Sequence, residues 1–275
     1  MQLTKPFVIL FFLFLTSCTN LLYYPNSYRY VNEKKLDHVP TEVELDTEEN
    51  KNLLSWYFEA SKNRLPITII FSHGNGQNMS AHFRSLYWIL QDELNFFIVG
   101  YPGYGPNEGT PTPKSTVQTV LAAISWVKKN KPNDAIFIFG QSLGGNIALR
   151  ALSDSDNKNI CGIAVEGTFL SYRKAAQKTL AKKWFLWPFQ WLSYVLIDDT
   201  YSIKNNLSKL EKNNYLVIHG KKDPSIPFEL GEELYNKLPQ TKLLWINEEG
   251  KHIDTFFKNN QRRKDFVKFI KKSCL

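Results

Sequence analysis

Along the chain, short apolar runs alternate with longer stretches in which apolar residues return every three or four positions. The runs are Ile67–Phe71, Phe96–Val99, Ala135–Phe139, Cys161–Val165, Tyr215–Ile218 and Lys242–Ile246. Each is short and largely apolar, and Ala135–Phe139 is apolar on both alternating faces, the pattern of a central parallel strand covered by helices on either side. Helical spacing follows near Ala81–Leu90, then over Ser115–Lys129, Leu143–Leu152, Ser171–Leu180, Phe228–Leu238 and Thr255–Ile270. Ahead of them, Thr41–Asp46 and Leu53–Phe58 flank the turn-like Glu48–Asn52 and predict a hairpin at a sheet edge. Strand-then-helix alternation of this kind predicts an α/β class protein: a doubly wound, mostly parallel sheet with helices on both faces and its site in the loops at strand C-termini. The rhythm breaks once, between Ala181 and Ile197, where WFLWPFQWL gathers Trp184, Trp187 and Trp191 around Pro188.

The first residues belong to a different pattern. Lys5 precedes an apolar core from Phe7 to Leu15 that is too short to span a bilayer, which takes about 20 residues, and so reads as an export signal. Leu15-Thr16-Ser17-Cys18 resembles the lipobox of bacterial lipoproteins, in which cleavage precedes an acylated cysteine. The expected organisation is a signal at 1–17, a polar tether at 18–40 and one domain over 41–275 with a small aromatic-rich cap inserted at about 181–200. Thr19 after Cys18, by resemblance to enterobacterial sorting, places the protein in the cell envelope, on the periplasmic side of the outer membrane where there are two membranes. Beyond Cys18 only Cys161 and Cys274 remain, so a structural disulfide framework is not expected. The net charge of +8 comes from scattered lysines without a nucleic-acid signature, which excludes a nucleic-acid partner and leaves an anionic membrane surface as a use for the charge. Nothing in the sequence bears on oligomeric state.

The chemistry centres on Gly140-Gln141-Ser142-Leu143-Gly144, a G-x-S-x-G pattern between a strand and a helix. A serine on such a strained turn projects its hydroxyl above the sheet, and glycines two residues to either side avoid collisions where strand and helix converge. The Leu143 N–H, at the helix start, points where charge develops on an attacked carbonyl oxygen. Such a serine needs a base, itself oriented by a third group. Asp223 follows the Tyr215–Ile218 strand and His252 follows the next, in the order serine, acid, histidine. Glu166, after the preceding strand, is an alternative acid; His38 and His82 lie in poor places for a base.

GQSLGG, SHGNGQN, YPGYG, HGKKDPSIP and GKH, spread from about Ile67 to the C-terminus, resemble the prolyl-oligopeptidase and serine-aminopeptidase-like branch of the α/β-hydrolase fold, whose small eukaryotic members include protein depalmitoylases. Ile253-Asp254 after the histidine departs from the Asn or Gly expected there. The resemblance implies Ser142 as nucleophile, Asp223 as orienting acid and His252 as general base, with the backbone N–H groups of Asn75 and Leu143 as oxyanion hole. Gly74 and Gly76 stay open as alternatives to Asn75, and His73 and His219 take structural roles in their turns. No cofactor or metal is implied. The expected activity is hydrolysis of a small-molecule acyl ester or thioester, palmitoyl groups included, by a serine hydrolase held at the membrane through a lipid anchor. The alternatives are an aminopeptidase-like serine peptidase, with Asp198-Asp199 the adjacent acidic pair near the cap, and a lipid- or partner-binding lipoprotein without turnover. For the aromatic segment, burial as core and a cap over the site stand as rival expectations.

Overall fold

A computed structural model of the chain describes residues 22–61, 63–182, 184–210 and 213–275. The proposed signal and Cys18 lie outside the described residues. Eight strands form one sheet in the order β1-β2-β4-β3-β5-β6-β7-β8. β1 (Thr41–Leu45) and β2 (Leu53–Phe58) make the antiparallel hairpin at one edge, and β2 also pairs antiparallel with β4 (Asn95–Ile98). β3 (Ile67–Ser72), β5 (Ala135–Gln141), β6 (Ile160–Glu166), β7 (Asn214–Gly220) and β8 (Lys242–Asn247) continue the sheet in parallel. β5 is central, and its alternation divides the core. Ile136 and Ile138 face the layer of Val117, Val120 and Ile147, whereas Phe137 and Phe139 face Phe256, Phe266 and Val267.

The first layer holds α2 (Pro113–Asn130) and α3 (Leu143–Asp154), then α4 (Tyr172–Ala181) and α6 (Phe228–Lys237). α2 starts where Thr112 and Ser115 form a reciprocal capping box, which satisfies amides that a helix start leaves unpaired. The other face carries α1 (Met79–His82) and α7 (Asn260–Cys274). The expected helix at Ala81–Leu90 is instead the short α1 followed by two 3₁₀ turns at Phe83–Ser85 and Tyr87–Asp92. Phe83 stacks on Phe58 at 6.0 Å and Tyr87 meets the same ring edge-on at 5.6 Å, so ring packing sets the path there. α7 starts later than its periodicity predicts because Asn259 caps it, accepting from the Arg262 N–H.

Two expectations are corrected. Cys161, at the start of β6, is joined to Cys274, at the end of α7, by a disulfide across a sequence separation of 113 residues. Counting cysteines missed it because the pairing depends on α7 packing back across β5 and β6. The second concerns the segment 18–40, expected as a polar tether ahead of the domain. Tyr23 is buried in the core, and its hydroxyl lies 3.2 Å from Thr116 Oγ1 and 3.5 Å from that of Tyr172. Residues 22–30 then run along the loops that follow β3 and β4, so the folded unit begins well before Thr41.

The strand order positions the site. β4 lies on one side of β3 and β5 on the other, so the loops leaving β3 and β5 part in opposite directions and open a crevice above the sheet. Register brings the C-terminal ends level, with Ser72 beside Gly140, Gln141 beside Glu166, Glu166 beside Ile218 and Gly220 beside Asn247. The Trp-rich segment contains a 3₁₀ turn at Trp187–Phe189 and α5 (Leu192–Leu196). It is not core: Trp184 is 87% exposed, and Trp187, Phe189 and Trp191 are each more than half exposed.

Candidate active site

Ser142 stands between β5 and α3 with φ 54° and ψ −123°, a left-handed conformation for a residue with a side chain. Strain of this kind costs on the order of 1–3 kcal/mol and persists only where surrounding packing imposes it. Here close approach imposes it. A Cβ on Gly144 would lie 2.1 Å from the Ser72 carbonyl oxygen, one on Gly140 2.6 Å from Gly145 Cα, and one on Gly145 2.7 Å from Thr168 Cβ. All three are below any real van der Waals separation, so the turn closes only with glycine at these places. The Ser142 N–H is fixed by donation to the Glu166 carbonyl at 2.8 Å.

The Ser142 hydroxyl lies 3.0 Å from His252 Nε2, and His252 Nδ1 lies 2.7 Å from Asp223 Oδ2. With Asp223 ionised, Nδ1 carries the ring proton and donates it to the carboxylate, leaving Nε2 to accept from the serine. Asp223 is buried, which disfavours its charge. The hydrogen bond from His252, with N–H donation from Ile226 at 2.8 Å and Ser225 at 2.7 Å, outweighs that cost and holds the carboxyl below the usual aspartate range. His219 braces the same loop, its Nε2–H donating to the Ile226 carbonyl at 2.9 Å; burial lowers its pKa and keeps it neutral.

Glu166, the alternative acid, is also buried beneath the site but turns elsewhere. It accepts from Gln141 Nε2 at 2.7 Å and from the Thr255 N–H at 3.0 Å. Burial raises its pKa, and those two donors only partly offset it. It therefore ties the elbow to the chain segment just after His252. His73 is fully buried, donates Nδ1–H to its neighbour's carbonyl in Gly74 and is pushed well below the usual histidine range by desolvation. His82 stacks on it with ring centres 5.0 Å apart, close enough to the site that a Cβ on Gly74 would lie 3.7 Å from its Cε1. His38 sits by Tyr87, away from this group.

The loop after β3 folds over the serine, and a Cβ on Gly74 would lie 3.3 Å from Ser142 Cβ. Leu143 is the first residue of α3, where helix geometry leaves its N–H without an intrahelical acceptor. The Gly76 N–H is already donated to Asn75 Oδ1 at 2.8 Å. Among the described residues the Asn75 N–H meets no backbone acceptor. Sequence reasoning missed the groups that hold Asn75: Tyr104, whose hydroxyl donates to Oδ1 at 2.8 Å, and the backbone of Leu22 and Tyr24. Tyr104 was visible only as part of YPGYG, with nothing to show where its hydroxyl would reach.

Two further groups complete the surroundings. Lys182 Nζ donates to the Pro224 carbonyl at 2.6 Å, which brings the start of the aromatic segment beside the loop of Asp223. Of the acidic pair, Asp199 is buried and accepts from Ser171 Oγ at 2.5 Å and from the Arg173 N–H at 3.2 Å, so it closes the base of α4. Asp198 accepts from the N–H and hydroxyl of Thr200. Among the described residues no group of three or more His, Cys, Asp or Glu side chains is arranged to hold a metal ion.

Residues 112–273 match the sequence profile of the Prolyl oligopeptidase family, a span that includes Ser142, Asp223 and His252. The uncharacterized protein YfhR of Escherichia coli strain K12 is 29% identical over 257 residues, covering 91% of this chain and 86% of that one. Lysophosphatidylserine lipase ABHD12 of Bos taurus is 28% identical over 193 residues, covering 66% of this chain and 47% of its own length. The structure superposes on an esterase of Pyrococcus furiosus, Pf2001, with a TM-score of 0.72 at 22% identity, covering 92% of this chain and all of that one, a likeness of fold.

The two buried carboxylates separate by experiment. Asp223→Asn leaves His252 without its orienting acceptor and is expected to slow labelling of Ser142 by a fluorophosphonate on the order of 10³–10⁴-fold. Glu166→Gln is expected to lower the melting temperature while labelling stays within about threefold, since it disturbs one buried hydrogen bond worth roughly 1–3 kcal/mol. Equal slowing by both variants would remove the assignment of the acid to Asp223.

Proposed function

Because the chain belongs to the prolyl oligopeptidase family and is a serine hydrolase of the α/β-hydrolase fold, we propose that it cleaves acyl esters or thioesters through Ser142, His252 and Asp223. The observation that carries this reading is the continuous chain of hydrogen bonds from the Ser142 hydroxyl through both ring nitrogens of His252 to Asp223. As the hydroxyl attacks the acyl carbonyl carbon, its proton passes to His252 Nε2, and Asp223 stabilises the imidazolium. The carbonyl oxygen gains charge and takes the Leu143 and Asn75 N–H groups as donors. Collapse of the tetrahedral adduct breaks the bond to the leaving group, which receives the proton from His252. Water then attacks the acyl-serine by the same route, releasing a carboxylic acid.

Esters or thioesters are favoured over peptides by what surrounds the triad. A peptidase holding a terminal amine needs free carboxylates, and Asp199 is buried against Ser171 and Arg173 instead. ABHD12 is named as a lipase and Pf2001 as an esterase, while an acylaminoacyl peptidase of Pyrococcus horikoshii shares the fold alone, at 18% identity and a TM-score of 0.66. The exposed Trp184, Trp187 and Trp191 give a wall for an acyl chain on their inner side and, with Lys182, a membrane-facing surface on their outer side.

We extend the proposal to location: Cys18 carries a lipid anchor in the cell envelope, on the periplasmic side of the outer membrane in a bacterium with two membranes. The Cys161–Cys274 disulfide supports export, since such bonds persist in oxidising compartments. Among the described residues no helix is long and apolar enough to cross a membrane. Cells fed a labelled fatty acid are expected to label the wild-type chain and not Cys18→Ser; equal labelling of both would remove the anchor.

For the chemistry, a fluorophosphonate is expected to label the protein, and Ser142→Ala to lose both labelling and p-nitrophenyl ester turnover. Turnover retained by that variant would overturn the reading. For the acyl wall, Trp187→Ala is expected to lower kcat/KM for a long-chain ester about tenfold or more, the equivalent of roughly 1.5–3 kcal/mol of lost apolar contact, with acetyl esters and the melting temperature little changed. Equal losses along a chain-length series would end the cap assignment.

A further inference from the structure

The chain at residues 22–30 is pinned to the loops beneath it at every second residue. The Leu22 carbonyl accepts from Asn75 Nδ2, and the Tyr24 N–H donates to Asn75 Oδ1 at 2.8 Å. The Asn26 carbonyl accepts from the Gly105 N–H at 3.0 Å and from Asn78 Nδ2 at 2.7 Å. The Tyr28 carbonyl accepts from Asn78 Nδ2 at 2.8 Å, and the Tyr30 N–H donates to Ser80 Oγ at 3.0 Å. A strand uses this alternation to meet a partner. Here the partners are the loops after β3 and β4, the first of which carries Asn75.

The Asn75 carboxamide is the hub. Its oxygen receives three donors, the Tyr24 N–H, the Gly76 N–H and the Tyr104 hydroxyl, each at 2.8 Å, and its nitrogen donates to Leu22. Four bonds to one side chain leave its backbone little freedom to rotate. The loop needs such restraint, because Gly76 and Gln77 both take positive φ, at 69° and 50°, which a free loop abandons readily. From these contacts we propose that the segment from Leu22 to Tyr30 is a positioning strap. It holds the Asn75 N–H over Ser142, and its residues act on the reaction through that amide without touching substrate. The inference rests on the hydrolase reading above and deepens it. The chain immediately preceding the strap is the proposed anchor, so attachment to the membrane and alignment of the oxyanion hole are functions of one continuous segment.

The strap has a kinetic signature that packing alone lacks. A donor to the oxyanion contributes about 10²–10³-fold to kcat, and a displaced donor loses part of that while ground-state binding is untouched. In the full-length protein, Asn75→Ala keeps the backbone N–H and removes all four side-chain bonds; it is expected to lower kcat about 10–100-fold with KM within about twofold. Tyr24→Pro removes the strap's N–H donor together with an exposed side chain, and Tyr104→Phe removes only the hydroxyl. Each is expected to lower kcat by about 3–10-fold, and fluorophosphonate labelling to slow in proportion. Arg64→Met serves as the control for general destabilisation: it breaks an ion pair with buried Asp134 at the opposite end of the sheet, so it is expected to lower the melting temperature and keep kcat at 25 °C. Unchanged kcat in Asn75→Ala and Tyr24→Pro, a rise in KM alone, or a loss in Arg64→Met equal to theirs would each overturn the strap. Ester turnover that survives Ser142→Ala would instead overturn the hydrolase reading, so the two failures are told apart.

Discussion

The constraint on which the rest depends is the crossing of β5 and α3 at Ser142. The chain leaves a fully buried strand, reverses through a left-handed residue and enters a helix whose first turn lies almost on the neighbouring strand. Glycine at 140, 144 and 145 removes the atoms that would forbid this, and the apolar layers on both faces of β5 supply the packing that holds it. Burying a side chain such as Ile138 or Phe139 contributes about 1.5–3 kcal/mol, so a few of them outweigh the 1–3 kcal/mol of strain stored at the serine. Local distortion at the elbow is thus stable because the strand beneath it is among the best-buried parts of the molecule.

The polar groups around the elbow follow from the same burial. Two acidic side chains and several histidines lie within or just under the site, and each is held by hydrogen bonds to other protein groups. Asp223 keeps its charge because His252 and two N–H groups face it. Glu166 is pushed upward in pKa by its burial, and the Gln141 amide and the Thr255 N–H, which both donate to it, offset that rise in part. His73 and His219 are held neutral by desolvation and spend their nitrogens on carbonyls of the two loops that flank the serine. The hydrogen-bonded Asp223 and His252 at the centre are enclosed by buried, internally bonded groups, which concentrates the field of Asp223 on His252.

The elements legible in the sequence were those governed by local periodicity or a short steric motif. The six parallel strands, the edge hairpin, α2, α3 and the elbow all fall in that group, as does the order in which serine, acid and histidine arrive at one edge of the sheet. What the sequence withheld depends on distant segments meeting. Cys161 and Cys274 gave no sign of pairing because nothing near either one reports the path of α7. Tyr23 looked like part of a tether because the residues around it carry neither strand nor helix spacing, although its ring enters the core. The Trp-rich stretch was ambiguous for the opposite reason. Its composition suits burial and an exposed cap equally, and only the surrounding chain decides that the rings stay outside.

The same division explains why Asn75 is tied so elaborately when Leu143 is not. Leu143 begins a helix, and the helix itself orients its N–H. Asn75 lies in a loop with no secondary structure of its own, so its direction has to be imposed by side-chain and strap contacts drawn from residues far away in sequence. An oxyanion hole needs both donors aimed within a few tenths of an ångström of one point, and its weaker arm sets the alignment. In the proposed oxyanion hole that weaker arm is the one Leu22 and Tyr24 brace, so on this reading the residues nearest the proposed anchor bear on the chemistry through Asn75.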